Sequence, residues 1–351
     1  MKIDRDAVTG YEIRRYTQGP ERNAKLYFST ENFSADDRYF FFTRARADTQ
    51  ITDPVRAQAI RDGLYRANVE TGEIVQLADE RYYSFAMHPA ENYGVIAHQD
   101  GSVFRLEIET GEMTRLGRLP LNARLQGHLT VSNDGRVAAS VQLENKIYAL
   151  VVLDPDQDQF EIVSMTDQWI GHTQICPTDS NQIFYVHETG GDALQRTWMF
   201  DVEYRMKRPY YVERMGEWIT HETWSADGRH MILMRCPHEI LMGDKDGHRF
   251  DVVYRAEEGL LAHHPGLSRD QRWVCTDTLW SDETGAHAAV RLVNPANGRS
   301  VKLAQTPPSK TGADHLHPSF NRAGDKVLFS APDENGIAQV CVIDLGQVER
   351  P

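Results

Sequence analysis

The chain has 351 residues, 40% of them hydrophobic and 25% charged, with a formal net charge of −13. That balance supplies a sizeable apolar core and excludes a disordered chain, while the negative charge excludes nucleic acid and anionic membrane surfaces, which need a positive footprint. Residues Met1–Ala7 lack the basic-then-apolar run of a secretory leader and no apolar stretch is long enough to cross a bilayer, so a cytoplasmic location is expected. Cys176, Cys236, Cys275 and Cys341 are far apart and form no C-x-x-C pair, and are expected to be small buried residues.

The first predicted element is a hairpin pattern around Thr9-Gly10, within Asp6–Thr17. A polar turn then recurs, Ser-x-Asp-x-Arg or a degraded form, starting at Ser34, His88, Ser132, Pro177, Ser225, Ser268 and Asn321. Each copy lies between runs rich in Val, Ile, Tyr and Phe, such as Tyr39–Phe42 and Val327–Phe329, which is hairpin chemistry. A second hairpin follows in several repeats, as in Leu64–Leu77, Val103–Leu116 and Arg291–Leu303, each centred on Thr-Gly or Asn-Gly. The steps between copies run from 43 to 54 residues, room for four strands each. A fixed period of this length predicts an all-β, seven-bladed β-propeller occupying residues 1–351 as one domain, and an irregular β-sandwich does not account for it. The last repeat ends at Val340–Leu345 without its outer strand, and Asp6–Thr17 carries the missing signature. The N-terminus is therefore expected to complete the seventh blade and close the ring, removing an open edge.

With the third residue of each turn as a ruler, the residue six places upstream is His128, His221, His264 and His317 in four repeats; His172 lies one place further out. In a propeller this register borders the central channel, so distant histidines converge. His315 and His317, two apart on a strand, would share a face and with a third imidazole from a neighbouring blade form a first shell for a divalent metal. Imidazole suits zinc, manganese and iron alike, and a single histidine at a strand start is more often a polar residue hydrogen-bonded to backbone than a ligand, so the reading rests on the shared register.

The order Gly171–Pro177, His187-Glu188, Gln195–Trp198, His221–Gly228, His264–Asp270 and His315–Phe320, after the opening Tyr27–Phe33, resembles the oligogalacturonate lyases of polysaccharide lyase family 22. The resemblance implies a seven-bladed propeller with a manganese-like ion that splits short galacturonate chains by β-elimination. It implies His221 as the base, Arg196 near the substrate's acidic group, and His264, His315 and His317 as metal ligands; Glu188 and His172 match family motifs and are assigned to substrate binding. There are departures. The family's glutamine ligand has no counterpart in Lys310–Asp314, the nearest being Gln305, and Glu188–Asp192 lacks the expected aromatic. Two rival readings follow, a lyase for another uronide and a non-catalytic TolB-like propeller that binds proteins or glycans.

Overall fold

The polar turns organise the repeats. In the copies at Ser34, Ser225 and Ser268 the serine hydroxyl donates to the aspartate two residues on, at 2.8, 2.7 and 2.7 Å. The same oxygen accepts from the backbone N–H five residues on, at 3.0 Å in all three, so one side chain fastens both sides of the reversal. The fourth residue of the turn is left-handed, as at Asp37 (φ 59°), Gly135 (85°), Gly228 (65°), Gln271 (57°) and Gly324 (70°). Glycine takes this conformation without a Cβ penalty, which is why Asp-Gly recurs there.

The structure, a computed structural model, describes residues 1–45, 63–79, 81–188, 194–307 and 315–351. Among them the chain forms seven antiparallel sheets, and helix is confined to the short 3-10 turns Glu144–Lys146 and Leu345–Gln347. Six sheets use strands in simple succession, the first running from Arg22–Lys25 to Ile74–Ala78 and the fourth from Ile170–Cys176 to Met206–Pro209. The fold is a seven-bladed β-propeller.

The seventh sheet takes Ser319–Phe320, Lys326–Pro332 and Ala338–Asp344 from the end of the chain, then Glu12–Arg15 and Lys2–Arg5 from its beginning. Ile13 faces Ile343 and Arg15 faces Cys341 across the join. The expected closure is present, with one difference. The N-terminus contributes two strands rather than one, because its Thr-Gly turn folds Lys2–Arg5 back on Glu12–Arg15 as a fifth strand. Gly10 has φ 75°, close to Gly72 (74°), Gly111 (76°) and Gly298 (70°) in the other outer hairpins.

The chain divides into two compact units, one of residues 1–80, 232–242 and 251–351, the other of residues 81–231 and 243–250. In both, cores lie between successive sheets. Along Val137–Gln142 the side chains of Val137, Ala139 and Val141 pack with Ala86, Val95 and Val103 of the second sheet. Ala138, between them, packs with Ile175, Ile183 and Tyr185 of the fourth. The period-2 alternation of a strand thus serves two cores at once. In the first unit Val327 and Phe329 join Val290 and Leu292, while Leu328 joins Phe40 and Phe42. Each fully buried Val, Leu, Ile or Phe side chain among these contributes about 1.5–3 kcal/mol. Cys176, Cys275 and Cys341 are buried free thiols as expected, whereas Cys236 is only half-buried. Among the described residues no helix is long and apolar enough to cross a membrane.

Candidate active site and metal centre

In the first unit, the inner strand of the sixth sheet is broken. Leu261–Ala262 and Gly266–Leu267 both pair with Val274–Asp282, and His263, His264 and Pro265 fill the gap. Asp277, on the partner strand and 1% exposed, holds this gap open: its carbonyl accepts from the His263 N–H at 2.9 Å and its carboxylate from the His264 N–H at 2.9 Å. The same carboxylate lies 3.0 Å from His264 Nδ1 through both oxygens. A carboxylate that only accepts fixes the hydrogen on Nδ1, leaving the Nε2 lone pair for a ligand, the orientation that metal-bound histidines take. Burial raises the Asp277 pKa, but His264 and then His263 more than reverse this and hold the group well below the usual carboxylate range.

One ring nitrogen from each of His263, His264 and His315 lies within 4.8 Å of the other two. Ligand atoms about 2.0–2.1 Å from one ion sit roughly 3–4 Å apart, so three imidazoles this close could hold a single divalent cation after a small adjustment. Burial pushes the His263 imidazole down to about 4, which keeps it neutral and able to donate a lone pair. The His317 ring is 4.1 Å from that of His264 and 5.7 Å from that of His315, between centroids, with Phe28 stacked 6.1 Å away. Lys25 stands in the same unit with its ammonium donating to the Leu26 carbonyl at 2.8 Å, and burial lowers it to about 7.

The strand argument for His315 and His317 needs correction. Both precede the Ser319–Phe320 strand in irregular backbone, and His317 has a left-handed φ of 45°. Their ring centroids lie 5.7 Å apart on backbone that is not a strand, so strand alternation is not what brings them together. Lys310–Asp314, where the missing glutamine was sought, lies outside the described residues. Gln305 is engaged elsewhere, its amide oxygen accepting from Lys302 Nζ at 2.5 Å.

The second unit gathers His172, Glu188, Arg196 and Glu222. Glu222 is fully buried and its carboxylate meets His172 Nδ1 at 2.8 Å, with Arg196 Nε 3.8 Å from its other oxygen. Arg196 donates through Nε to the Ile219 carbonyl at 2.8 Å and through both Nη atoms to Glu188, at 3.1 and 3.4 Å. The arginine and the glutamate expected to bind substrate separately therefore form a forked ion pair with each other, and the arginine side chain is 3% exposed. Burial pushes Glu222 upward, but Arg196 and then His172 outweigh it and leave it ionised below its ordinary pKa. Burial likewise opposes the Arg196 charge, and Glu222 and Glu188 more than restore it. Glu213, raised by burial, accepts from the Arg196 backbone N–H at 3.0 Å.

His221 sits half-buried in Ile219–Trp224 with φ 54°, and His172 in Ile170–Cys176 with φ 48°. Among the described residues three of the nine non-glycine residues with positive φ are histidines, His172, His221 and His317, the kind of strained backbone that persists where a side chain must be aimed. The sequence reading missed His263, Asp277 and Lys25. A charged residue inside the buried run Val274–Thr278 was the available signal for Asp277. Residues 189–193, which follow Glu188, lie outside the described residues.

No family model matches the chain. The oligogalacturonide lyase of Pectobacterium atrosepticum is 30% identical over 91 residues, 26% of this chain and 24% of the relative. The oligogalacturonate lyase of Dickeya dadantii is 20% identical over 249 residues, 64% of this chain and 60% of the relative. The matched stretches thus span less than two thirds of either curated relative. Among solved structures, an oligogalacturonate lyase from Vibrio parahaemolyticus aligns with TM-score 0.83 at 18% identity, covering 99% of this chain and 97% of that one. An oligogalacturonate lyase in complex with manganese aligns with TM-score 0.82 at 18% identity, covering 98% and 95%. The proteins similar to this chain are those that its motifs resemble, and they share its fold.

Proposed function

We propose that this chain, similar in sequence and fold to oligogalacturonate lyases, cleaves short uronate oligosaccharides by metal-assisted β-elimination. The observation that carries the reading is the cluster of three imidazoles with one of them oriented by a buried carboxylate. His263, His264 and His315, with His317 as the further ligand implied by the resemblance, would hold a divalent cation, manganese first. When bound, such an ion supplies electrophilic stabilisation to a substrate carboxylate.

His221 is assigned as the base. A neutral imidazole can accept a proton and act as a general base. It takes the proton from C5; the electron pair forms the C4–C5 double bond as the C4–O bond breaks, and the departing sugar oxygen takes up a proton. The product carries a 4,5-unsaturated uronate. Arg196 is assigned to the acidic group of the substrate, with His172 and Glu188 at its side. Because Glu188 occupies the guanidinium fork, substrate must compete with it. Glu188→Gln should therefore lower KM for a galacturonate oligomer by weakening the competitor, and a raised KM would overturn that assignment.

The test of the whole reading follows the ultraviolet absorbance of the unsaturated product from digalacturonate and trigalacturonate, with and without added manganese. Metal-dependent product formation is expected. No product from any uronide would overturn it in favour of a binding module, and product only from another uronide would keep the chemistry and change the substrate.

A further inference from the structure

Two successive repeats share a short pattern, Trp169-Ile-Gly-His172 and Trp218-Ile-Thr-His221. Each opens the first strand of its sheet, Ile170–Cys176 and Ile219–Trp224. In both copies the isoleucine is buried, at 1% and 0%, and the histidine is left-handed, at 48° and 54°. In both the tryptophan is exposed, at 46% and 44%. Tryptophan is on average among the more buried residues, so two half-exposed indoles at matching positions call for a ligand.

Their backbone is tied to the charged cluster of the same unit. The Trp169 carbonyl accepts from the Glu188 N–H at 2.9 Å, and the Ile219 carbonyl, next to Trp218, from Arg196 Nε at 2.8 Å. The buried isoleucine and these hydrogen bonds fix the backbone that carries each indole beside that cluster. Polar residues precede both rings, Asp167 and Gln168 in one case and Glu217 in the other, so each is a flat apolar face in a wet surround.

We propose that Trp169 and Trp218 are stacking platforms for pyranose rings of an acidic oligosaccharide, and that they determine the chain length the site prefers. This deepens the uronide reading above and rests on it. A pyranose presents C–H groups on its face and hydroxyls and carboxylate on its edge, so an indole can cover the face while the edge stays available to histidine and arginine. An uncharged platform also adds affinity without opposing the protein's net charge of −13. A protein partner would instead draw on the neighbouring apolar residues Val212 and Met215, exposed at 75% and 103%.

The experiment is calorimetric titration of digalacturonate and trigalacturonate into the manganese-loaded full-length protein carrying His221→Ala, to suppress turnover, with Trp169→Ala, Trp218→Ala or Val212→Ser/Met215→Ser added. Each Trp→Ala variant should weaken trigalacturonate binding roughly tenfold, with Trp→Phe restoring most of it and Val212→Ser/Met215→Ser leaving it unchanged. At least one Trp→Ala variant should affect the trimer more than the dimer. Unchanged affinity in both Trp→Ala variants with unaltered melting would overturn the platforms and leave the lyase reading standing. A loss in Val212→Ser/Met215→Ser equal to that in the tryptophan variants would overturn them as well. Absence of uronate binding in the parent would overturn the reading on which they rest. Should an alanine variant fail to fold, Trp→Leu, which keeps apolar volume without the flat face, must show the same loss.

Discussion

The histidines of the two units are held by opposite electrostatic arrangements. In the first unit, His263, His264 and His315 approach one another around a single buried carboxylate, Asp277, and burial keeps His263 neutral. In the second, His172 belongs to a lattice of alternating charge in which Glu222 and Glu188 compensate Arg196 from two sides. Clustered lone pairs are an arrangement that a cation completes, whereas interleaved ions complete one another. The first region is thus suited to hold an ion and the second to hold its own side chains in place. Each arrangement is built on a buried carboxylate, Asp277 or Glu222, so the difference lies in how the charge is compensated.

The contrast can be broken or sharpened by substitution. The largest effect is expected from His221→Ala, which should lower kcat by about 10²–10⁴-fold while metal content by elemental analysis stays unchanged. Near-normal turnover would remove the proposed base. Next, Glu222→Ala should cost about 3–5 kcal/mol in chemical denaturation, because it removes the carboxylate that compensates the buried Arg196 charge most. A loss under about 1 kcal/mol would show that the second region is not held by its charges.

Metal binding tests the first region. At about 100 Kd of added manganese the wild type should gain roughly 2.7 kcal/mol of stability, read as a rise in Tm. His315→Ala/His317→Ala should abolish both that rise and stoichiometric metal. Comparing the single variants His263→Ala and His317→Ala then separates the ligand set drawn by geometry from the one implied by resemblance. If the rise survives in His263→Ala and is lost in His317→Ala, the geometric set is wrong.

The smallest effect concerns acid. Glu222 has a folded pKa below its unfolded one, so its contribution is fully present above the unfolded carboxylate value and disappears as pH falls through the lowered folded value. The wild type should therefore lose more stability than Glu222→Gln as pH falls below about 4. Parallel pH profiles for the two proteins would contradict this.

What the sequence by itself determined is local. A Ser-x-Asp turn closes through hydrogen bonds two and five residues along the chain, and a Thr-Gly turn needs only one left-handed residue, so the hairpins, the number of blades and even the returning N-terminus were legible. The register of His221, His264 and His317 was legible for the same reason, since it is counted from those turns. The tertiary structure decided the partners. Asp277 reaches His264 from 13 residues away, Glu222 reaches His172 from 50, and Arg196 is claimed by Glu188 rather than left open to solvent. No spacing rule predicts these pairs, because a buried charge takes whichever opposite charge or donor the packed sheets bring to it, and the cost of leaving it alone makes that choice binding.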